Sequence, residues 1–134
     1  MTPVPDVITS FFAALTGGDL DSALELCAPD AVWVIPGDPD LLPWAGEHRG
    51  RDAIRSFYAL LSREAVAEYL RLGPVAATGD QGFVRGEFAY TFHRGGGRYA
   101  GAFVIVFTVR QGFITRYEMH EDSQGLARAF SGLG

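Results

Sequence analysis

The sequence predicts a single α+β domain over residues 1–134. Two observations lead to this. Apolar residues recur at helical spacing in the first half of the chain, and long alternating segments fill the second half, an order of helices then strands that belongs to the α+β class. The length is one domain's worth, and 48% hydrophobic residues supply a core. No internal repeat or low-complexity tract interrupts the pattern.

The first helix is expected to be capped by Asp6, with Val7, Ile8, Phe11, Phe12 and Leu15 as its apolar stripe and Gly17-Gly18 as its stop. Asp19 caps a second, shorter helix with Leu20, Ala23, Leu24 and Cys27 inward. Pro29-Asp30 reads as a turn and Ala31–Ile35 as a strand, rich in β-branched and aromatic residues. Pro36–Gly50 holds three prolines and three glycines and reads as a long loop. Its Leu41, Leu42 and Trp44 either seal the core edge or form a lid over a pocket. Asp52 opens a third helix with Ile54, Phe57, Tyr58 and Leu61 inward.

Strand signals follow. Val66–Leu72 and Val75–Thr78 flank Gly73-Pro74. Gly82–His93 alternates, Gly95–Gly97 turns a hairpin onto Arg98–Val109, and Gln111-Gly112 turns another onto Phe113–Glu121. Ser123 begins a short last helix around Leu126–Phe130. Between Ala102 and Val109 both faces of the strand are apolar, which predicts cover on both sides. Helices account for one side, and a second copy of the chain is the simplest partner for the other, giving a homodimer through the sheet face.

Composition excludes several functions. The net charge is −5, all 11 basic residues are arginines, and they are scattered. That leaves no basic patch for nucleic acid. No apolar run reaches the 18 residues of a membrane span, and the N-terminus lacks a leader pattern. A soluble, cytoplasmic protein is expected. The single Cys27 makes no intrachain disulfide and reads as a buried small hydrophobe. His48, His93 and His120 are too scattered for a metal site, and His120 and Glu121 point to opposite faces of a regular strand. No nucleotide or nucleophile-elbow motif is present, so no cofactor is predicted.

Two constellations remain. Arg85 and Glu87 share one face of a strand. Their neighbours Val84, Phe88, Tyr90 and Phe92 read as buried, which favours a solvent-facing pair that interacts weakly. Facing a cavity, Arg85 holds Glu87 ionised while desolvation opposes it, which suits a general base. In the last strand Thr115, Tyr117, Met119 and Glu121 share one face, a mixed wall that suits either a ligand pocket or plain packing. Ile114, Arg116, Glu118 and His120 share the other. Asp122 stands where a helix cap is wanted.

Taken together, the order of elements and the motifs resemble the nuclear transport factor 2-like superfamily, and more narrowly the SnoaL-like, ketosteroid isomerase-related proteins of bacteria. The resemblance rests on Phe12–Asp21 joining the first helices and Ala28–Trp33 leading into the first strand. It rests also on Trp44-Ala-Gly with Arg49–Asp52 and on Gly112–Asp122. It implies a cone, with a curved, mostly antiparallel sheet wrapped around helices as in the cystatin-like roll, a pocket inside and a dimer across the outer face. The ketosteroid isomerase positions fall on Phe11, Ile35 (with Asp38 close behind) and Phe103, all three apolar, which argues against isomerisation by that machinery. Arg85-x-Glu87 resembles the Arg-x-Asp pair of limonene epoxide hydrolase, whose second aspartate falls at Met119. Glu121 or Glu118 would have to replace it, and Glu121 shares Met119's face. Asp122 lies near the acid/base aspartate of the SnoaL-type cyclases.

The expectation is a pocket for a small apolar molecule, with cofactor-free hydrolase, cyclase or isomerase chemistry. Glu87 would be the base, Arg85 its orienting cation, and Glu121 or His120 the acid, with Asp122 as the cyclase-type alternative. Phe11, Phe57, Trp33, Ile35 and Trp44, with Phe103, Tyr117 and Met119 from the later strands, would line the pocket. The competing expectation is a non-catalytic binder or interaction module.

Overall fold

The computed structural model describes residues 2–132. The chain runs α1 (Val4–Thr16), α2 (Leu20–Glu25), β1 (Cys27–Ile35), β2 (Gly46–Arg49), α3 (Arg51–Glu64), β3 (Ala65–Thr78), β4 (Gln81–Phe92), β5 (Arg98–Arg110), β6 (Phe113–Glu121) and α4 (Ser123–Ser131). The fold is α+β: six strands form one curved, unclosed sheet in the order β2-β1-β6-β5-β4-β3. Every neighbouring pair is antiparallel except β1 beside β6. Among the described residues no helix is long and apolar enough to cross a membrane.

The inner face of the sheet is built by strand alternation. On β5, Tyr99, Phe103, Ile105 and Phe107 are buried, while Ala100, Ala102 and Val104 between them are exposed. Helix α1 lays Val7, Ile8, Phe11 and Phe12 on the inner face, and α3 adds Ile54 and Phe57. The rings lock at angles: Phe12 meets Phe107 edge-on at 5.7 Å between centroids, and Phe11 meets Phe107 at 6.1 Å and Trp33 at 5.8 Å.

Several local expectations are corrected. Helix α1 starts at Val4 with Pro3 as its N-cap, because proline is tolerated in a first turn. Asp6 lies inside that turn, where its charge suits the helix dipole. Asp19 does cap α2, accepting the Ser22 N–H at 3.1 Å. Cys27 is buried, but it opens β1 instead of closing α2, and Pro29-Asp30 lies in a register shift of that strand. Within the long loop, Gly46–Arg49 pairs with β1 as β2. Of its apolar residues Leu42 and Trp44 are buried and Leu41 is exposed. Asp52 sits in the first turn of α3, behind the cap Gly50. Gly73-Pro74 does not break β3, since the strand runs through it by a shift between Leu72 and Val75. The outer face of β5 is uncovered within one chain, with Val104 38% exposed.

The β4–β5 hairpin tip rests on the last turn of α4. Gly97 lies so close to Ala129 that a Cβ there would run into its carbonyl oxygen. Gly97→Ala is therefore expected to destabilise the protein by about 1–3 kcal/mol, read as a lower denaturant midpoint; an unchanged midpoint would show that α4 is not clamped by the tip.

Candidate functional site

Between the helices and the inner face of the sheet lies a pocket of about 90 Å³. Its walls follow from strand parity and helix spacing. Strand β6 contributes Tyr117, Met119 and Glu121, β5 contributes Phe103 and Ile105, and β4 contributes Phe88 and Tyr90. These are alternate residues on paired strands: Phe103 stands opposite Glu121, and Ile105 opposite Met119. Helix α3 adds Phe57 and Tyr58, α1 adds Phe12 and Leu15, and Ile35, Trp44 and Leu126 of α4 close the remaining sides.

Glu121 is the one carboxyl group among the described residues that line this pocket. It is partly buried, and it faces hydrocarbon and phenol rings. Burial pushes its pKa from 4.5 to about 7, and the neighbouring charge of Asp122 adds to the rise. At neutral pH it is therefore divided between acid and carboxylate, the condition a proton-transfer group needs.

Three phenols accompany it. The Trp33 indole N–H donates to the Tyr58 hydroxyl oxygen at 3.0 Å. The Trp33 ring stacks on Tyr117 at 4.6 Å with the planes 3° apart. One buried indole thus orders two phenols, one through its hydroxyl and the other through its ring. Burial raises the pKa of Tyr58, moves that of Tyr90 to about 12, and lifts that of Tyr117 well above its ordinary value. The Glu121 charge raises both Tyr90 and Tyr117 further, and the Tyr58 interaction raises Tyr117. All three remain protonated, with the Tyr117 hydroxyl donating to that of Tyr58.

The other expected site residues fall elsewhere. Arg85 and Glu87 share a face, as their spacing requires, but it is the outer one. Their side chains are 68% and 44% exposed and 3.9 Å apart, with Arg71 at 3.9 Å from the same Glu87. The reason is parity: inward Phe103 pairs with Gly86, so residues 85 and 87 point away. Roles for Glu87 as base and Arg85 as its partner inside the pocket are corrected on that ground. His120 is likewise outside, 61% exposed and 3.9 Å from Glu118. Asp122 is exposed and caps α4, accepting the Gly125 N–H at 2.9 Å. Ile35, Trp44, Phe57, Phe103, Tyr117 and Met119 are placed in the pocket wall. Phe11 and Trp33 do not; they form the layer behind it.

The chemically important residues missing from the expected set are Tyr58 and Tyr90. Both lie on stripes that read as inward, and the available signal was a phenol among purely apolar neighbours. Among the described residues no group of three His, Cys, Asp or Glu side chains is placed to hold a metal ion.

A family model described as the SnoaL-like domain matches residues 8–117. Among solved structures, an NTF2-like protein from Burkholderia xenovorans is 28% identical, with 95% of each chain covered and a TM-score of 0.85. TerC, co-crystallised with polyporic acid, is 24% identical over 96% of this chain and 98% of that one, with a TM-score of 0.80. A protein from Mesorhizobium loti described as a SnoaL-like polyketide cyclase is 21% identical over 89% of this chain and 99% of that one, with a TM-score of 0.75. Among curated proteins none matches the chain.

The raised Glu121 pKa has a consequence for stability. The folded state holds this proton more tightly than the unfolded chain does, so its stabilising effect is full below about 4.5 and lost as the pH rises through about 7. Glu121→Gln removes the charged form. It should match the wild type near pH 4 and exceed it by about 1–3 kcal/mol at pH 8, measured by urea unfolding at both values. An equal difference at both values would contradict the burial of this carboxyl.

Proposed function

Because this chain belongs to the SnoaL-like domain family, we propose that its pocket holds a small apolar molecule by an oxygen-bearing end and isomerises it by cofactor-free proton transfer, with Glu121 as the acid/base group. The observation that carries this reading is the placement of Glu121, the one carboxyl among the described lining residues, in a pocket wall shared with the phenols of Tyr58, Tyr90 and Tyr117; burial there raises its pKa to about 7. As carboxylate, Glu121 takes a proton from a carbon beside a carbonyl, and the electron pair moves onto the carbonyl oxygen. A phenol O–H stabilises that oxygen. Since the Trp33 N–H occupies an acceptor position on Tyr58, the Tyr58 hydrogen is the one offered to the pocket. Glu121, now the acid, returns its proton to a second carbon.

Isomerisation is favoured over hydrolysis because the Arg85–Glu87 pair lies outside the pocket. The polyketide cyclase named among the structural neighbours supports acid/base work on an apolar, oxygenated molecule. The competing reading, a binder without turnover, is favoured by Glu121 having no second carboxylate beside it among the described lining residues. The cytoplasm is the compartment this reading assumes, because the lone, buried Cys27 gains nothing from an oxidising one.

The partner we propose is a second copy of the chain, laid across the outer face of β5. Ala102 and Val104 are exposed there between two charged margins, Arg85 and Glu87 on β4 and Glu118 and His120 on β6. A twofold arrangement that sets β4 of one copy over β6 of the other brings Arg85 against Glu118 beside an apolar centre.

Glu121→Gln is expected to lower kcat on an enolisable apolar ketone by about 10²–10⁴-fold, and Tyr58→Phe by about 10²-fold or more. The wild-type rate should rise with pH through about 7. If ligands bind and neither substitution changes a background rate, the protein is a binder. In sedimentation at micromolar concentration the wild type should run at twice 14.5 kDa and Val104→Asp as a monomer; a monomeric wild type would refute the dimer.

A further inference from the structure

The pocket does not end at its own lining. Phe12 of α1 is also a wall of a second, apolar crevice of about 130 Å³, bounded by Thr9, Leu72, Gly73, Val75 and Val84. Thr9, Phe12 and Leu15 follow one another at three-residue steps along α1, so they share a face. Leu70, Leu72 and Val75 run along the inward side of β3, opposite Phe88, Gly86 and Val84 of β4. Helix and strand thus bound a seam along which the two spaces lie end to end, on either side of Phe12. Leu15 and Leu70 border the pocket end, Thr9 and Val75 border the far end, and the Phe12 ring stands between.

Two features of this seam lack an explanation in the fold alone. Leu70 and Leu72 are 40% and 38% exposed although they point to the helix side of the sheet. The two spaces, of about 90 and 130 Å³, also adjoin at a single ring, since Phe12 is the one residue common to both described linings. We propose that the seam between α1 and β3 is a second compartment of the same binding site. It takes the apolar tail of a ligand whose oxygen-bearing head lies against Tyr58 and Glu121, and Phe12 is the partition that sets how long that tail is. This rests on the pocket reading above and adds a ligand class to it: molecules with a small polar head and an unbranched or flat apolar extension. Among the described residues Thr9 is the one polar side chain on the seam's far wall, so the compartment favours an apolar tail over a polar one.

A series of 4-alkylphenols from ethyl to octyl tests this by titration calorimetry on the intact protein. In the wild type, affinity should rise about fourfold for each methylene that enters the seam and then level off. Leu72→Asp places a charge on the seam and Thr9→Trp fills its far end. Both positions are surface-exposed, so folding should survive, and each change should flatten the rise. Phe12→Leu shortens the partition and should move the levelling point to longer chains. If the wild type binds 4-ethylphenol and gains nothing with length, or if the gain persists undiminished in both seam variants, the second compartment is wrong while the pocket stands. If the wild type binds no member of the series, the pocket reading fails and takes this one with it.

Discussion

Strand parity is the constraint on which this structure depends. Successive side chains of β4, β5 and β6 alternate between a dry inner face and a wet outer one, and the pairing of the three strands locks their parities together. Phe103 opposite Glu121 and Gly86 opposite Phe103 fix Glu121 inside, and they fix Arg85, Glu87 and His120 outside. A shift of one residue in any of these registers would exchange the two sets. The chemical character of the pocket, one carboxyl and several phenols, is thus a consequence of backbone pairing before it is a property of any side chain.

The aromatic layer behind the pocket turns that parity into geometry. Trp33 is fully buried, and its two attachments, the N–H to Tyr58 and the parallel stack on Tyr117, tie α3 to β6 through β1. Phe11 and Phe107 brace the same cluster. A hydroxyl inside such a layer loses hydration and is costly to ionise, so the phenols are kept as donors. A ligand oxygen entering here meets groups already oriented by packing, which reduces the ordering cost of binding.

Most of the fold is legible in the sequence because hydrophobic period and turn residues agree element by element. Residues 82–93, 98–109 and 113–121 alternate and end at glycine turns, and the strands lie there. The exceptions have local causes. Strand β2, Gly46–Arg49, carries no β-branched residue, and its pairing comes from β1. Pro3 and Pro5 conceal the start of α1. The site was legible on β6, where Tyr117, Met119 and Glu121 share a face with a hydrophobic member, so parity points inward. On β4 the signal was present as well: Val84, Phe88, Tyr90 and Phe92 share the parity of Gly86 and mark residues 85 and 87 as outward, so a pocket role for the pair required setting that apolar stripe aside. Asp122 read first as a cap, and as an acid only through the family resemblance; the Gly125 N–H on its carboxylate makes it the cap.

That cap also bears on the proton-transfer group. Glu121 and Asp122 are adjacent carboxyls with opposite surroundings: one looks into the pocket, the other into water at the N-terminus of α4. By capping α4, Asp122 holds the helix that places Leu126 on the pocket wall. That wall excludes water from Glu121, and the Asp122 charge raises the same carboxyl further. Closure of the pocket and tuning of its acid therefore share one residue, which never touches the ligand space. Two like groups pushed toward different roles by their environments is the arrangement in which one carboxyl is spent on structure and the other is left free to exchange a proton near neutral pH.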